Sequence, residues 1–321
     1  MIDIMSKGFV LIATLTMLIS CRQSQMIRIY PEFERDLIPE GIAIDEAHQQ
    51  IFINSLKKNK IVSCAMEGDK ARNFIGSGQH GYLSGFGMTV MGDTLFALGN
   101  VLQRHNNKSV LLLLNTSTGD LIRSYELDDT SFIYLNDLAV SEHHHVYITD
   151  SESNRIFTVN PVKGGIEVYF EDDEILHPNG IAISDDALFL YVATWRKGIR
   201  ILDLSKKRII NQAHTESAGI DGLKYYKGSL YGIVNARRDS ESNGLYRFEL
   251  DQTLTEIVSS HKLIEFGSGF SIPTTLDIYR DQIYFVTNSQ LDNFNQETNE
   301  IIDTSILSPY EIMRYSIKTD R

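Results

Sequence analysis

The chain has 321 residues, 42% of them hydrophobic and 22% charged, which is the composition of an ordinary globular protein rather than of a disordered chain. Its 30 Lys and Arg against 42 Asp and Glu give a formal net charge of −12, which argues against nucleic-acid binding because phosphate contacts need clustered cations. A single Trp excludes repeats built around one tryptophan each, and two Cys exclude a disulfide-rich scaffold.

Residues 1–20 have the pattern of an export signal. Lys7 supplies the positive flank, and the apolar run from Gly8 to Ile19 is too short to span a bilayer, which takes about 20 residues. The run ends in LISC, which resembles the lipobox of bacterial lipoproteins, so we predict a lipid anchor on Cys21 and residues 21–29 as a tether leading into the first strand. The protein is then exported and anchored to a bacterial cell membrane. A cleaved secretory signal that happens to precede a cysteine is the alternative.

Six similar segments follow the tether. Each opens with a polar residue before a short apolar strand, and the openings recur about every 42 to 53 residues. An aromatic-rich second strand, such as 51–54 or 190–194, and then a third strand follow each opening. Periods of ~40–50 residues with three or four strands are typical of propeller blades. The sequence therefore predicts an all-β, six-bladed β-propeller over residues 30–321, with residues 26–33 pairing onto the last blade to close the ring.

The opening residue of each segment is a candidate for the central channel, because the first strand of a propeller blade lines it. All six carry oxygen: Glu40, Ser84, Asn136, Asn179, Asp221 and Thr274. Two carboxylates and two carboxamides that meet at one point suit a hard cation such as Ca²⁺, which accepts six to eight oxygen ligands at ~2.3–2.6 Å. The absence of His and Cys from this set argues against zinc or copper. Ordinary turn residues bridged by water are the alternative.

Four motifs carry a family resemblance: PEG at 39–41, LND at 135–137, HPNGIA at 177–182 and DG at 221–222. They resemble those of the SMP-30/gluconolactonase/LRE-like family, six-bladed propellers that are distantly related to the paraoxonases. The resemblance implies that Glu40, Asn179 and Asp221 bind a divalent metal, commonly calcium. It also implies that Asn136 lies on the substrate side, as a further metal ligand in paraoxonase-like members, that Asp221 is the general base, and that the activity is lactone hydrolysis.

Two functions of different classes remain open. The first is a membrane-tethered, metal-dependent hydrolase of the lactonase or esterase type, in which a cation polarises the carbonyl of a small lactone or ester and Asp221 takes a proton from water. The second is a non-catalytic propeller that binds a ligand or a protein and keeps the cation as a structural element. Residues 290–308, a polar and acidic excursion in the last blade, are expected on a propeller face, and a closed lid formed by them would favour the second function.

Overall fold

The computed structural model describes residues 25–127, 131–160, 164–235 and 240–317. The predicted signal segment 1–20, the anchor site Cys21 and the first part of the tether lie outside the described residues. Within the described ranges, no helix is long and apolar enough to cross a membrane.

Six four-stranded antiparallel sheets form the body of the protein, as the repeat pattern predicted. Their strands are rich in β-branched and aromatic residues, and each inner strand pairs with the next strand in sequence across a short turn. From the inner strand outward, blade 1 consists of β2 (Ile42–Asp45), β3 (Gln50–Asn54), β4 (Ile61–Ala65) and β5 (Arg72–Ile75). Blade 2 consists of β6 (Ser84–Met91), β7 (Thr94–Asn100), β8 (Ser109–Asn115) and β9 (Leu121–Leu127). Blade 3 consists of β10 (Leu135–Val140), β11 (Val146–Asp150), β12 (Arg155–Asn160) and β13 (Gly165–Glu171).

Blades 4 and 5 repeat this order, whereas blade 6 is assembled from both ends of the described chain. Blade 4 consists of β14 (Pro178–Ile183), β15 (Phe189–Thr194), β16 (Gly198–Asp203) and β17 (Arg208–Ile209). Blade 5 consists of β18 (Ile220–Tyr226), β19 (Ser229–Val234), β20 (Gly244–Leu250) and β21 (Ile257–Glu265). Blade 6 consists of β22 (Leu276–Tyr279), β23 (Gln282–Val286), β26 (Ile312–Ser316) and β1 (Met26–Ile29). Because β1 pairs antiparallel with β26, the predicted closing strand is confirmed.

Each inner strand contacts the inner strand of the next blade, from β2 round to β22 and back to β2, so the ring is closed. The contact is tight enough to require glycine at some positions. A Cβ on Gly180 would lie 2.3 Å from the backbone oxygen of Asp221, and one on Gly87 would lie 2.6 Å from Oδ1 of Asp137. Apolar side chains between neighbouring blades complete the core, for example Phe52 of blade 1 and Met88 of blade 2.

Short elements join the strands. Six 3₁₀ turns lie in the described chain, at Gln79–Gly81, Asp173–Ile175, Thr215–Ser217, Ser240–Ser242, Leu291–Asn293 and Thr304–Ile306. The last two flank a small two-stranded ribbon, β24 (Phe294–Asn295) with β25 (Glu300–Ile301). We call residues 290–308 the arm. The sequence predicted only a polar loop there, whereas the structure shows a folded element with Phe294 almost completely buried.

Candidate metal centre at the mouth of the channel

The inner strands of blades 3, 4 and 5 share a β-bulge at their start. The pairing register shifts over 135–138, 178–181 and 220–223, so the same irregularity recurs at the same point of three blades. A bulge locally re-aims side chains that a regular ladder would point to alternate faces. The first residues inside the three bulges are Asn136, Asn179 and Asp221.

Asp221 is held by the amide side chain of Asn235. Nδ2 of Asn235 donates to its Oδ2 at 2.7 Å and also to the backbone oxygen of Pro273 at 2.8 Å. The side chain of Asn179, from the neighbouring blade, lies near the same carboxylate and lowers its pKa. Burial raises the pKa of Asp221 to about 7, with a contribution from the charge of Asp137, and the bond from Asn235 and the nearby amide of Asn179 only partly offset this rise.

Glu40 joins this group from blade 1. Its backbone oxygen accepts the hydroxyls of Thr274 at 2.8 Å and Thr275 at 2.7 Å, which fixes the start of blade 1 to blade 6. Burial raises the pKa of the Glu40 carboxyl well above its ordinary range, and the charges of Asp221 and Asp137 raise it further. The carboxyls of Glu40 and Asp221 are thus close enough to repel each other when both are ionised.

Two oxygens at the mouth are buried without a hydrogen-bond partner: Oε2 of Glu40 and Oδ1 of Asn179. An unpartnered buried acceptor is expensive, and both atoms are of the kind that Ca²⁺ prefers. Glu40, Asn179 and Asp221 therefore fit a divalent cation by chemistry and by surroundings. Within the described residues, no group of three or more His, Cys, Asp or Glu side chains could hold a metal, so the carboxamide oxygens are needed to complete this donor set.

The other three predicted channel residues differ in their surroundings. Asn136 is buried at the start of β10, with 7% of its surface exposed, next to the buried carboxyl of Asp137. Ser84 donates its hydroxyl to Oδ1 of Asn59 at 3.1 Å, and Thr274 is committed to the backbone of Glu40. Glu40, Asn179 and Asp221 therefore make up the candidate centre, whereas the two hydroxyls bond within the scaffold.

Sequence reasoning missed a second set of polar residues. Several second strands end in, or are followed by, a polar side chain that supports an opening segment, and the best examples are Asn54, Asn100 and Asn235. Oδ1 of Asn54 accepts the amide of Gly41 at 2.7 Å, and its Nδ2 donates to the backbone oxygen of Phe86 in the next blade. The repeated polar residue after an apolar strand was the available signal. Asp137 was also missed as a third buried acid, because the sequence does not reveal the bulge that contains it.

The arm extends from blade 6 to contacts with blades 1 to 3. Gln296 accepts a hydrogen bond from the Tyr134 hydroxyl of blade 3 at 3.0 Å, and Asn299 donates to the backbone oxygen of Lys57 in blade 1 at 3.3 Å. Phe294 packs in the apolar cluster that blades 1 to 3 share. Trp195, in the mouth loop of blade 4, is 54% exposed. The arm therefore covers one side of the mouth, next to the candidate centre.

No family model matches the sequence, and no curated protein does. The fold is similar to that of a gluconolactonase from Xanthomonas campestris, XC5397, with a TM-score of 0.61 and 13% identity over 91% of this chain and 89% of that one. It is also similar to virginiamycin B lyase from Staphylococcus aureus (TM-score 0.61, 15% identity, 91% and 99% covered) and to the calcium-binding protein regucalcin from Agrobacterium tumefaciens (0.57, 14%, 90% and 93%). The resemblance inferred from the sequence is confirmed at the level of the fold.

Proposed function

We propose that this propeller is a divalent-metal-dependent hydrolase of the lactonase or esterase type, with Ca²⁺ as the expected ion. The observation that carries the proposal is the pair of unpartnered buried oxygens on Glu40 and Asn179, beside the carboxylate of Asp221. The similarity to a gluconolactonase and to a calcium-binding propeller supports the same class of site. We assign Glu40, Asn136, Asn179 and Asp221 as metal ligands, with Asn136 also facing the substrate.

When bound, the cation supplies Lewis-acid polarisation of the substrate carbonyl. The chain's own residues supply the proton transfer and the orientation. Asn235 holds Oδ2 of Asp221 at 2.7 Å, which fixes the carboxylate and leaves its other oxygen to accept a proton from an attacking water. Thr274 and Thr275 hold the backbone of Glu40, so this ligand is positioned before any substrate arrives.

We also propose that the protein is exported and tethered through a lipid on Cys21. The described chain begins at Gln25, whose backbone oxygen accepts the amide of Ser316 at 2.8 Å, at the end of blade 6 that lies away from the mouth. Four residues from Cys21 to this point span at most about 14 Å. An anchored propeller would therefore sit close to the lipid with its mouth directed away from the membrane, open to a diffusing small-molecule substrate.

A second candidate function is a ligand- or protein-binding propeller with a structural metal. The arm favours it, because Phe294, Gln296 and Asn299 attach a folded cover to the mouth. In that case the ion would bind and stabilise the fold, but no substrate would be turned over.

The deciding experiment is hydrolysis of a panel of lactones and esters by the folded protein, with calcium and with a chelator. We expect chelator-sensitive turnover that falls at least about 100-fold in Asp221→Asn, since a general base contributes 10²–10⁴, and that also falls in Asn179→Ala. Asp185→Asn, on an exposed turn at the far end of blade 4, is the matched control. Calcium-dependent stabilisation without turnover on any substrate would reject the enzyme in favour of the binding propeller.

A further inference from the structure

A second cluster of reactive side chains lies on the face opposite the mouth. Nδ1 of His48 lies 2.7 Å from Oδ2 of Asp45, and Nε2 of His48 lies 2.8 Å from the hydroxyl oxygen of Ser117. Asp45 ends the inner strand of blade 1, His48 lies in the turn that follows, and Ser117 lies in the turn between β8 and β9 of blade 2. The three side chains form an acid–imidazole–hydroxyl chain across a blade boundary.

The protonation pattern of this chain is that of an activated nucleophile. Burial by itself would raise the pKa of Asp45, but the hydrogen bonds from His48 and its neighbours outweigh burial and hold that pKa below its ordinary value. Ionised Asp45 can only accept, so the proton of neutral His48 lies on Nδ1 and the lone pair on Nε2 faces Ser117. The Ser117 hydroxyl therefore donates to a base that is already oriented.

The backbone holds this geometry. Oδ1 of Asp45 accepts the amides of Ala47 at 2.9 Å and His48 at 3.1 Å, which fixes the turn that carries the imidazole. Oδ1 of Asn115 accepts the amides of Ser117 at 3.0 Å and Thr118 at 3.1 Å, which fixes the turn that carries the hydroxyl. Both Ser117 and His48 are exposed, so a substrate can reach them.

A cavity of about 520 Å³ adjoins the imidazole. Its lining includes His48, Gln50, Cys64, Lys70 and Arg72. Glu67 also borders it, but its carboxylate is paired with Arg314 at 2.9 Å. The amides of Ser117 and Thr118 already donate to Asn115, and Lys70 and Arg72 are the cations that line the cavity beside His48.

We propose that Asp45, His48 and Ser117 form a second, hydrolytic site that takes small anionic esters, with Ser117 as nucleophile, His48 as base and Asp45 as a positioning residue. In acylation, the bond from Ser117 Oγ to the acyl carbon forms and the ester C–O bond breaks. The hydroxyl proton passes through Nε2 of His48 to the departing alcohol. Water then attacks the acyl-serine while His48 takes its proton, the bond between the acyl carbon and Oγ breaks, and Nε2 returns the proton to Oγ, which releases the acid and restores Ser117.

The first test is labelling of the full chain with an alkyl fluorophosphonate, read by mass spectrometry of the peptides. Attack by Ser117 forms the O–P bond and expels fluoride, and the proton goes to His48. We expect the label on Ser117, none in Ser117→Ala, and a rate at least about 100-fold lower in His48→Gln. Ser205→Ala is the matched control: Ser205 lies in the equivalent turn of blade 4 and bonds to Asp203 without a histidine. Absence of label on Ser117, or a rate unchanged in His48→Gln, would overturn the proposal.

Three further measurements test whether His48 activates Ser117 rather than only bonding to it, and whether this site works independently of the candidate metal centre at the mouth. Ser117→Cys should be alkylated by iodoacetamide faster than the same variant that also carries His48→Gln, and equal rates would contradict a base at His48. A downfield imidazole N–H resonance should disappear in Asp45→Asn, and its persistence would contradict the positioning role. Chelator and Asp221→Asn should leave the labelling unchanged, so failure of the proposed metal-dependent function would not affect this result.

The substrate class is tested with two activated esters. The nitrophenyl half-ester of succinate, which is anionic, should be cleaved about tenfold faster than nitrophenyl acetate. The difference should vanish in the Lys70→Ala, Arg72→Ala double variant. Equal rates for the two esters in the wild-type protein would overturn the assignment to anionic substrates.

Discussion

Two acids stand at opposite ends of the first inner strand. Glu40, at the mouth, is buried with one oxygen unpartnered, and its pKa is raised well above the ordinary range. Asp45, five positions later at the other face, is fully buried yet has a lowered pKa, because both of its oxygens accept hydrogen bonds. Burial alone therefore does not set the state of a carboxyl in this propeller. Its partners do, and Glu40 lacks the partner that a cation would supply.

The largest change in stability is expected from Asp45→Asn. An amide cannot accept the bonds from Ala47, His48 and Gln50 with the strength of a carboxylate, and hydrogen bonds to charged groups are worth about 1.5–3 kcal/mol each. The free energy of unfolding, measured by urea titration at pH 7, should fall by about 3 kcal/mol. Asp185→Asn should change it by less than about 0.5 kcal/mol. Equal effects in the two variants would contradict a stabilising role for the hydrogen bonds that Asp45 accepts.

Calcium should stabilise the folded protein through the mouth residues and not through the cluster on the opposite face. A ligand that binds only the folded state adds about 2.7 kcal/mol at a concentration one hundred times its Kd. The melting temperature of the wild type should therefore rise by several degrees in calcium, and the rise should be lost in Glu40→Gln and kept in Ser117→Ala. A calcium-induced rise that survives in Glu40→Gln would remove that residue from the ligand set.

Without metal, the mouth should make stability fall as pH rises. The folded-state pKa of Asp221 is about 7 against an ordinary 3.8, so the folded protein binds more protons than the unfolded one between these values. The urea midpoint in chelator should decrease between pH 5 and pH 8, and this decrease should be smaller in the Glu40→Gln, Asp221→Asn double variant. A midpoint that rises with pH equally in both proteins would contradict the raised pKa.

The smallest effect is expected at Asn235. Its removal deletes the 2.7 Å hydrogen bond to Asp221 and the bond to Pro273, so Asn235→Ala should lower the free energy of unfolding by about 1–2 kcal/mol. Because this bond lowers the pKa of Asp221, its loss should also extend the pH-dependent fall in stability to higher pH. Thermal melts across pH 5 to 9 in chelator would measure both effects, and an unchanged pH profile would contradict the role of this amide.

The repeat pattern was sufficient to predict the blades, because each short strand with its turn is specified locally. It also predicted the closing strand, and the six opening residues lie at or just before the inner strands, as expected. The bulges, Asp137 and the support by Asn54 and Asn235 were not predictable, because they depend on how neighbouring strands pair rather than on local sequence. The fold of the arm was not predictable for the same reason, since Phe294 packs against apolar residues of blades 1 to 3, which are far away along the chain.

Blade 6 has a consequence for biogenesis. Gln25 bonds to Tyr315 across 290 positions of sequence, and β1 has its partner only once β26 exists. A nascent polypeptide emerging from amino to carboxyl end can form five blades in order, but it must keep its first strand unpaired until β26 has been translated. Loss of β26 would therefore leave β1 and β23 without the strand that lies between them, and blade 6 would not be completed.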